Sequence, residues 1–322
     1  MKYAFFIIIL SLLFVPQTVC ASQFSFSQSP QIHDVIAKPG STVVLPFTLT
    51  NAGDPSVMKL QVYTLAIKDS VGSYELTPYY SDNPVRIQFN LNNSPYSIDE
   101  SFFMNTSEAI GYEIAVYIPE GMPEGDYYFA VVGETEQNEG FVNTSNIFLQ
   151  GGVGSLVYLT ISSNGSLDQS GTITQFDVQS NKKITWMGKT YRIFDSFAAI
   201  PFVLNVANTG ANHFQAEGTI SVRPRIFGSN SHLVSIHPTY LLSDTSKGII
   251  STQSRSRENT AVLQAPFIGV YSAQAVVKVG VAETTLMSDL TYIVFPYTYV
   301  GVTIGMIFLV AVGLVFVKRM GD

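Results

Sequence analysis

Three carboxylates crowd one short stretch of this chain. Glu120, Glu124 and Asp126 fall within seven residues, across the turns Pro119-Glu120-Gly121 and Pro123-Glu124-Gly125. With backbone carbonyls they offer hard oxygen ligands of the kind a calcium ion takes. No spaced run of Asp and Asn closes a loop there, and the same spacing suits a plain solvated acidic turn, so no cofactor or metal is expected. His232 and His237 are five apart; on a strand an odd spacing sends them to opposite faces, away from a shared metal. His33 and His213 lie elsewhere. The pairs Tyr79-Tyr80 and Phe102-Phe103 could present flat rings to a sugar or peptide, but on a strand one ring of each pair faces the core. Nucleophile elbows, zinc-protease helices and phosphate-binding glycine loops are absent from the sequence, and sequence alone cannot set two carboxylates across a cleft. The chain is therefore expected to bind rather than to catalyse.

The elements that would position such residues read as β-strands. Candidates are 42–50, 59–67, 85–91, 111–118, 127–132 and 155–161, with β-branched or alternating patterns between Gly, Pro and Asn turns. No convincing helical period precedes residue 297, so the fold class expected is an all-β chain of immunoglobulin-like sandwiches. A weak internal repeat suggests two of them. Phe47-Thr48-Leu49-Thr50-Asn51-Ala52-Gly53 is echoed by Leu204-Asn205-Val206-Ala207-Asn208-Thr209-Gly210, and Gly125-Asp126-Tyr127 by Gly269-Val270-Tyr271. Each Asn-x-Gly closes a strand where glycine can take the positive φ of a tight turn. A domain-sized period points to tandem duplication, with a polar linker over residues 162–170 between sandwiches at 22–161 and 171–295.

Both termini bear on location. Residues 297–317 hold no charged side chain and are followed by Lys318-Arg319. At about 1.5 Å per residue this run is about 31 Å long as a helix, which matches a hydrocarbon core of about 30 Å. Lys318 and Arg319 read as a stop-transfer signal that keeps the tail 318–322 cytoplasmic. At the other end, Lys2, the apolar stretch 4–15 and Pro16 read as a signal peptide over residues 1–21. Val19-Cys20-Ala21 places cleavage between Ala21 and Ser22, in preference to lipid attachment at Cys20. Cys20 is the only cysteine, so the mature domains have no disulfide, which favours a prokaryotic cell envelope. The expected topology is single-pass, N-terminus outside. Gly301 and Gly305 share a helix face and could allow weak self-association.

Charge divides the chain. Residues 22–168 carry 16 acidic and 4 basic side chains, a net of −12, whereas residues 169–296 carry 7 acidic and 10 basic, a net of +3. An acidic field repels nucleic acid, so nucleic-acid binding is not expected. The asymmetry fits surface solubility, steering of a partner, or an electrostatic dock between the two domains. The region expected to meet a partner combines Glu120, Glu124 and Asp126 with an exposed ring of Tyr79 or Tyr80.

Lys38-Pro39-Gly40 leading into the strand 43–51, the Gly151-Gly152 segment before another strand, and the C-terminal anchor resemble the WxL-interacting protein family of bacterial cell surfaces. That resemblance implies binding of wall peptidoglycan and of other surface proteins. Two sandwiches in tandem also resemble periplasmic pilus chaperones, which are soluble and lack the membrane span. The function expected is a membrane-anchored binding or scaffolding protein that contacts cell-wall polymer or a surface protein. An accessory subunit of a membrane complex, and an envelope enzyme with an unrecognised acidic cleft, are the alternatives.

Overall fold

The computed structural model describes residues 25–68, 74–79, 86–92, 94–136, 151–180, 182–186, 188–226, 231–252 and 260–321. The expected signal peptide with its Ala21–Ser22 cleavage site, and Tyr80, lie outside these residues. The first ten strands are β1 (Phe26–Ser29), β2 (Ile32–Ala37), β3 (Thr42–Asn51), β4 (Ser56–Ile67), β5 (Tyr74–Pro78), β6 (Gln88–Asn92), β7 (Ser101–Met104), β8 (Glu108–Tyr117), β9 (Gly125–Thr135) and β10 (Gly152–Ile161). They form a four-stranded sheet, β1-β3-β8-β6, and a six-stranded sheet, β2-β10-β9-β4-β5 with β7 beside β4. Between these two sheets lies one core, in which Phe47, Leu49, Ile114 and Val116 meet Leu60, Val62, Phe129, Val131 and Leu159. Alternation sends successive side chains to opposite faces. Along β7, Phe102 is accordingly 5 % exposed and Phe103 51 %.

The next ten strands repeat the plan. They are β11 (Gly171–Val178), β12 (Lys182–Trp186), β13 (Lys189–Phe194), β14 (Ala199–Asn208), β15 (Phe214–Ile226), β16 (His232–Leu241), β17 (Ser246–Gly248), β18 (Ala261–Gln264), β19 (Gly269–Val279) and β20 (Thr284–Val294). β14 is flanked by β11, β17 and β18, and the larger sheet runs β12-β13-β20-β19-β15-β16. The order β2-β10-β9-β4 of the first half thus reappears as β13-β20-β19-β15. In each case the first pair is parallel and the others antiparallel. A second core of Ile200, Phe202, Leu204, Val206, Ile220, Tyr271, Ala275, Val277 and Tyr292 fills this half.

The sequence echoes fall at equivalent places, though one expected reason for them is corrected. Asn51 ends β3 and Asn208 ends β14, both buried. Asn51 donates to the carbonyls of Asp54 (2.9 Å) and Asn105 (3.1 Å) and accepts from the Gly53 N–H (2.9 Å). Asn208 donates to the carbonyls of Asn212 (2.9 Å) and Leu241 (3.2 Å) and accepts from the Gly210 N–H (2.9 Å). Neither Gly53 nor Gly210 has a positive φ. Gly210 is glycine because an added Cβ would lie 2.3 Å from the Asp168 carbonyl oxygen. The second echo does use glycine's freedom, since Gly125 and Gly269 open β9 and β19 at φ 137° and 155°.

The polar segment 162–170 is fastened rather than loose. Ser163 donates its N–H (3.0 Å) and its hydroxyl to Glu124. The Asp168 carbonyl accepts from the Asn212 N–H (2.9 Å), and the Asp168 N–H donates to the Asn212 side chain (2.9 Å). After β20 only Phe295 and Pro296 precede α1 (Tyr297–Gly321), a 25-residue helix that continues past the expected end at residue 317 and includes Lys318 and Arg319.

Replacing Asn208 by alanine removes the donor to the Asn212 and Leu241 carbonyls, whereas the Gly210 N–H keeps the Ser170 carbonyl (3.0 Å). Such losses cost about 1–3 kcal/mol each before relaxation. Asn208→Ala is expected to lower stability by about 2–3 kcal/mol in chaotrope unfolding of the detergent-solubilised chain. Thr209→Ala beside it, whose hydroxyl makes one exposed contact of 3.4 Å, should leave the transition almost unmoved.

Candidate functional site: a histidine held between two carboxylates

The most fully built polar site lies where the two halves meet. His213 precedes β15 and its side chain is 3 % exposed. Its Nδ1 is 2.9 Å from Asp126 Oδ2, and its Nε2 is 3.0 Å from Asp34 Oδ1. A neutral imidazole has one N–H and one lone pair, so it could satisfy only one of these carboxylates. Both contacts together require the imidazolium. Burial by itself would lower the His213 pKa, but the hydrogen bonds to Asp126 and Asp34, with their negative charge, push it up to about 9.

Asp126 is the hub. It follows Gly125 at the start of β9, and its side chain is 2 % exposed. Oδ1 accepts from the Thr160 hydroxyl (2.6 Å) and the Asn212 amide (2.9 Å). Oδ2 accepts from the Tyr128 hydroxyl (2.8 Å), from His213 Nδ1 and from the His213 backbone N–H. Burial works to raise its pKa. The hydrogen bonds from His213, Thr160 and Asn212 outweigh that and hold it well below the usual carboxylate range. Thr160 and Tyr128 belong to the first half and Asn212 and His213 to the second, so one carboxylate ties both halves.

Aromatic rings seal the cluster. Tyr158 (5.2 Å), Tyr128 (5.8 Å) and Tyr240 (6.2 Å) surround the imidazole, measured between ring centroids. The Tyr158 and Tyr128 distances lie within the range for attraction between a cation and an aromatic ring, which is strongest once desolvated. Leu65, Tyr128, Ala130, Tyr158 and Leu242 form a third small core here, drawn from both halves. The Ser243 N–H also donates to the Tyr128 hydroxyl (3.3 Å).

The residues expected to form one exposed contact region are not brought together. Asp126 is turned inward to His213, which removes it from any solvent-facing acidic patch. Tyr79 packs edge-on to Phe89 (5.4 Å) and Phe129 (5.3 Å) and donates to the Ile87 carbonyl (2.7 Å), so its ring belongs to the first core. Glu120 and Glu124 are exposed. Glu120 lies over the Gly40 turn, and Glu124 is drawn to Ser163, whose hydrogen bonds lower its pKa. Among the described residues no group of three acidic, His or Cys side chains is arranged to hold a metal ion. Sequence reasoning passed over Asp34, Thr160, Asn212 and His213. The charge asymmetry of the two halves did not point here, since it counts lysines and arginines and leaves His213 out; of the cluster, the sequence singles out only Asp126.

No protein-family model matches this sequence, and no curated protein matches it. Solved structures are similar at low identity. The class 5 fimbriae chaperone CfaA shares 9 % identity over 75 % of this chain and 99 % of its own, with a TM-score of 0.36. The CsuC–CsuE chaperone–tip adhesion subunit pre-assembly complex of Acinetobacter baumannii gives 9 % identity over 84 % of this chain and 98 % of that one, at 0.37. The E. coli chaperone DraB gives 11 % over 84 % and 97 %, at 0.35. At these TM-scores the likenesses carry no argument about what this chain binds.

Proton linkage sets a stability window for the site. The raised His213 pKa means its stabilisation is complete below the ordinary value of 6.5 and is lost as pH rises through about 9. The depressed Asp126 pKa means its share is complete above 3.8 and is lost as pH falls below that. Unfolding free energy is therefore expected to be greatest between these limits and to fall on the order of 2–3 kcal/mol on the alkaline side. His213→Gln, followed by chaotrope titration at each pH, should remove that alkaline fall. An unchanged fall in the variant would assign it elsewhere.

Proposed function

We propose that this protein is a single-span, membrane-anchored extracytoplasmic binding or scaffolding protein of a prokaryotic cell envelope, built as two immunoglobulin-like sandwiches in tandem. The observation that carries this reading is α1. Its first 18 residues, Tyr297–Leu314, hold no charged side chain and none of them is buried, and the helix is long and apolar enough to cross a membrane. An apolar helix left bare in water is unfavourable, whereas a bilayer satisfies it. Lys318 and Arg319, read as a stop-transfer signal, support a cytoplasmic tail with the β-strands outside. Two connecting residues leave the strands little freedom relative to the span, and the His213 cluster holds the distal half on the proximal one. Such a body suits rigid presentation of an acidic distal surface to a wall polymer or another surface protein.

The role is binding rather than turnover, because the best-placed carboxylates and histidine are spent on each other. Glu120 and Glu124 remain at the distal half's surface, and the partner contact is assigned to them without Asp126. A second reading, an accessory subunit held through its span, rests on Gly301 and Gly305, which lie four residues apart and so share one helix face. Small residues on one face suit close approach of another helix.

The full chain, reconstituted in vesicles or retained in spheroplasts, is expected to resist alkaline extraction and to lose its β-strands to external protease. Proteoliposomes bearing it should sediment with purified wall sacculi or crosslink to a surface protein. Glu120→Ala with Glu124→Ala should weaken that capture, more so at low salt, where charge acts over longer range. Release by alkali, or an ectodomain protected from protease, would contradict the topology; capture indifferent to both glutamates would contradict the assigned contact. Oligomerisation in membranes that is abolished by Gly301→Ile would favour the subunit reading.

A further inference from the structure

The membrane end of the second half carries an unusual set of exposed apolar side chains. Phe197 sits at the tip of the β13–β14 loop, 52 % exposed, with φ at 61°. A bulky residue in left-handed backbone costs on the order of 1–2 kcal/mol, and here that conformation points a phenyl ring outward. Phe267 (51 % exposed) and Ile268 (42 %) form the tip of the β18–β19 loop beside it. The two loops are joined by backbone bonds, Phe197 N–H to the Pro266 carbonyl (3.4 Å) and Ala265 N–H to the Ala198 carbonyl (2.8 Å), and by the Ser196 hydroxyl to the Phe267 carbonyl. Core formation does not explain these rings, since they face away from it.

Their neighbour is the start of the span. The rings of Phe197 and Phe267 are 6.0 Å apart, and Phe267 is 6.2 Å from Tyr299 in the first turn of α1. Phe295, 44 % exposed, lies just before the helix, with its N–H on the Phe194 carbonyl (3.0 Å). Asp195, in the Phe197 loop, accepts from the Thr298 hydroxyl and from its N–H (3.4 Å), so the loop is pinned to the helix N-terminus, where negative charge is favourable. Lys182 Nζ stands 3.4 Å over the Tyr297 ring. Tyr299 is only two residues into a helix whose uncharged run, 297–317, matches the hydrocarbon core, so rings touching it lie at the depth of lipid headgroups and upper acyl chains. Aromatic rings favour that zone and lysines there meet anionic headgroups.

We infer that Phe197, Phe267 and Ile268 insert into the outer-leaflet interface of the bilayer that holds α1, with Phe295 and Tyr299 completing the apolar face and Lys182 set toward acidic headgroups. The inference rests on the reading of α1 as a span. The second half is then seated on the membrane at three points, two loops and a helix, and its tilt is fixed by lipid as well as by the Asp195–Thr298 contact.

Depth-resolved fluorescence quenching tests this on the full chain, in phosphatidylcholine–phosphatidylglycerol vesicles without brominated lipid, with lipid brominated near the top of the acyl chain (read by the loop reporters) or with lipid brominated near its end (read by the mid-span reporter). The single Trp186 is first removed as Trp186→Phe, and one reporter is introduced at a time: Phe197→Trp, Phe267→Trp, Phe308→Trp within α1, or Val281→Trp. Val281 lies in the turn at the far end of β20, whose 11 residues span about 35 Å. Both loop reporters are expected to be quenched at least about twofold more than Val281→Trp. If Phe308→Trp is quenched but the loop reporters match Val281→Trp, the loops stay in water and the inference is overturned while the span stands. If Phe308→Trp is not quenched, the span reading falls and takes this inference with it.

Discussion

A buried imidazolium between two carboxylates fixes how the two halves of this molecule sit. His213 comes from the second half, Asp34 and Asp126 from the first, and the three are closed over by Tyr128, Tyr158 and Tyr240. Taking such charges out of water is costly, and a well-packed apolar junction could be at least as stable. What the charged arrangement adds is geometry. Five donors converge on the Asp126 carboxylate, from residues 128, 160, 212 and 213, and they can be satisfied together only with the halves in one orientation. Removing His213 leaves the buried Asp126 carboxylate with only the neutral donors Tyr128, Thr160 and Asn212 and no cation beside it, while Asp34, 43 % exposed, returns to water.

The rest of the architecture hands that fixed orientation on to α1, the helix long and apolar enough to cross a membrane. β20 runs from the core of the second half into Phe295-Pro296 and then directly into α1. Asp195 grips the first helical turn. The first half locked to the second, itself joined closely to α1, forms a nearly continuous rigid path from that helix to the acidic half of the chain. For the scaffolding role proposed above this rigidity would be an advantage, because a pre-oriented surface requires less ordering on binding.

Much of the fold could be read from the residues because β alternation is local. Expected strands at 42–50 and 155–161 lie within β3 and β10, that at 111–118 overlaps β8 up to residue 117, and the apolar run at 297–317 lies within α1. The Asn-x-Gly echo was visible, but its cause was not: Asn51 and Asn208 act through buried hydrogen bonds to distant carbonyls, and Gly210 through a close backbone approach. The central site was hidden for the same reason. Asp34 and His213 are 179 residues apart, and no spacing rule joins them. Asp126 was noticed as one of a crowded acidic trio, yet the strand alternation that carries its neighbours Tyr128 and Ala130 into the third core also carries Asp126 inward, and only the fold shows what waits there.

The protonation state of His213 is the most direct measure of this account. Nitrogen-15 chemical shifts of its ring, recorded on the full chain in lipid nanodiscs at neutral pH and assigned with His213→Gln, report whether both nitrogens carry protons. The account predicts an imidazolium with two protonated ring nitrogens at pH 7, titrating near pH 9. A neutral ring at pH 7, with one nitrogen bare, would mean that one carboxylate faces a lone pair, and would contradict the central claim.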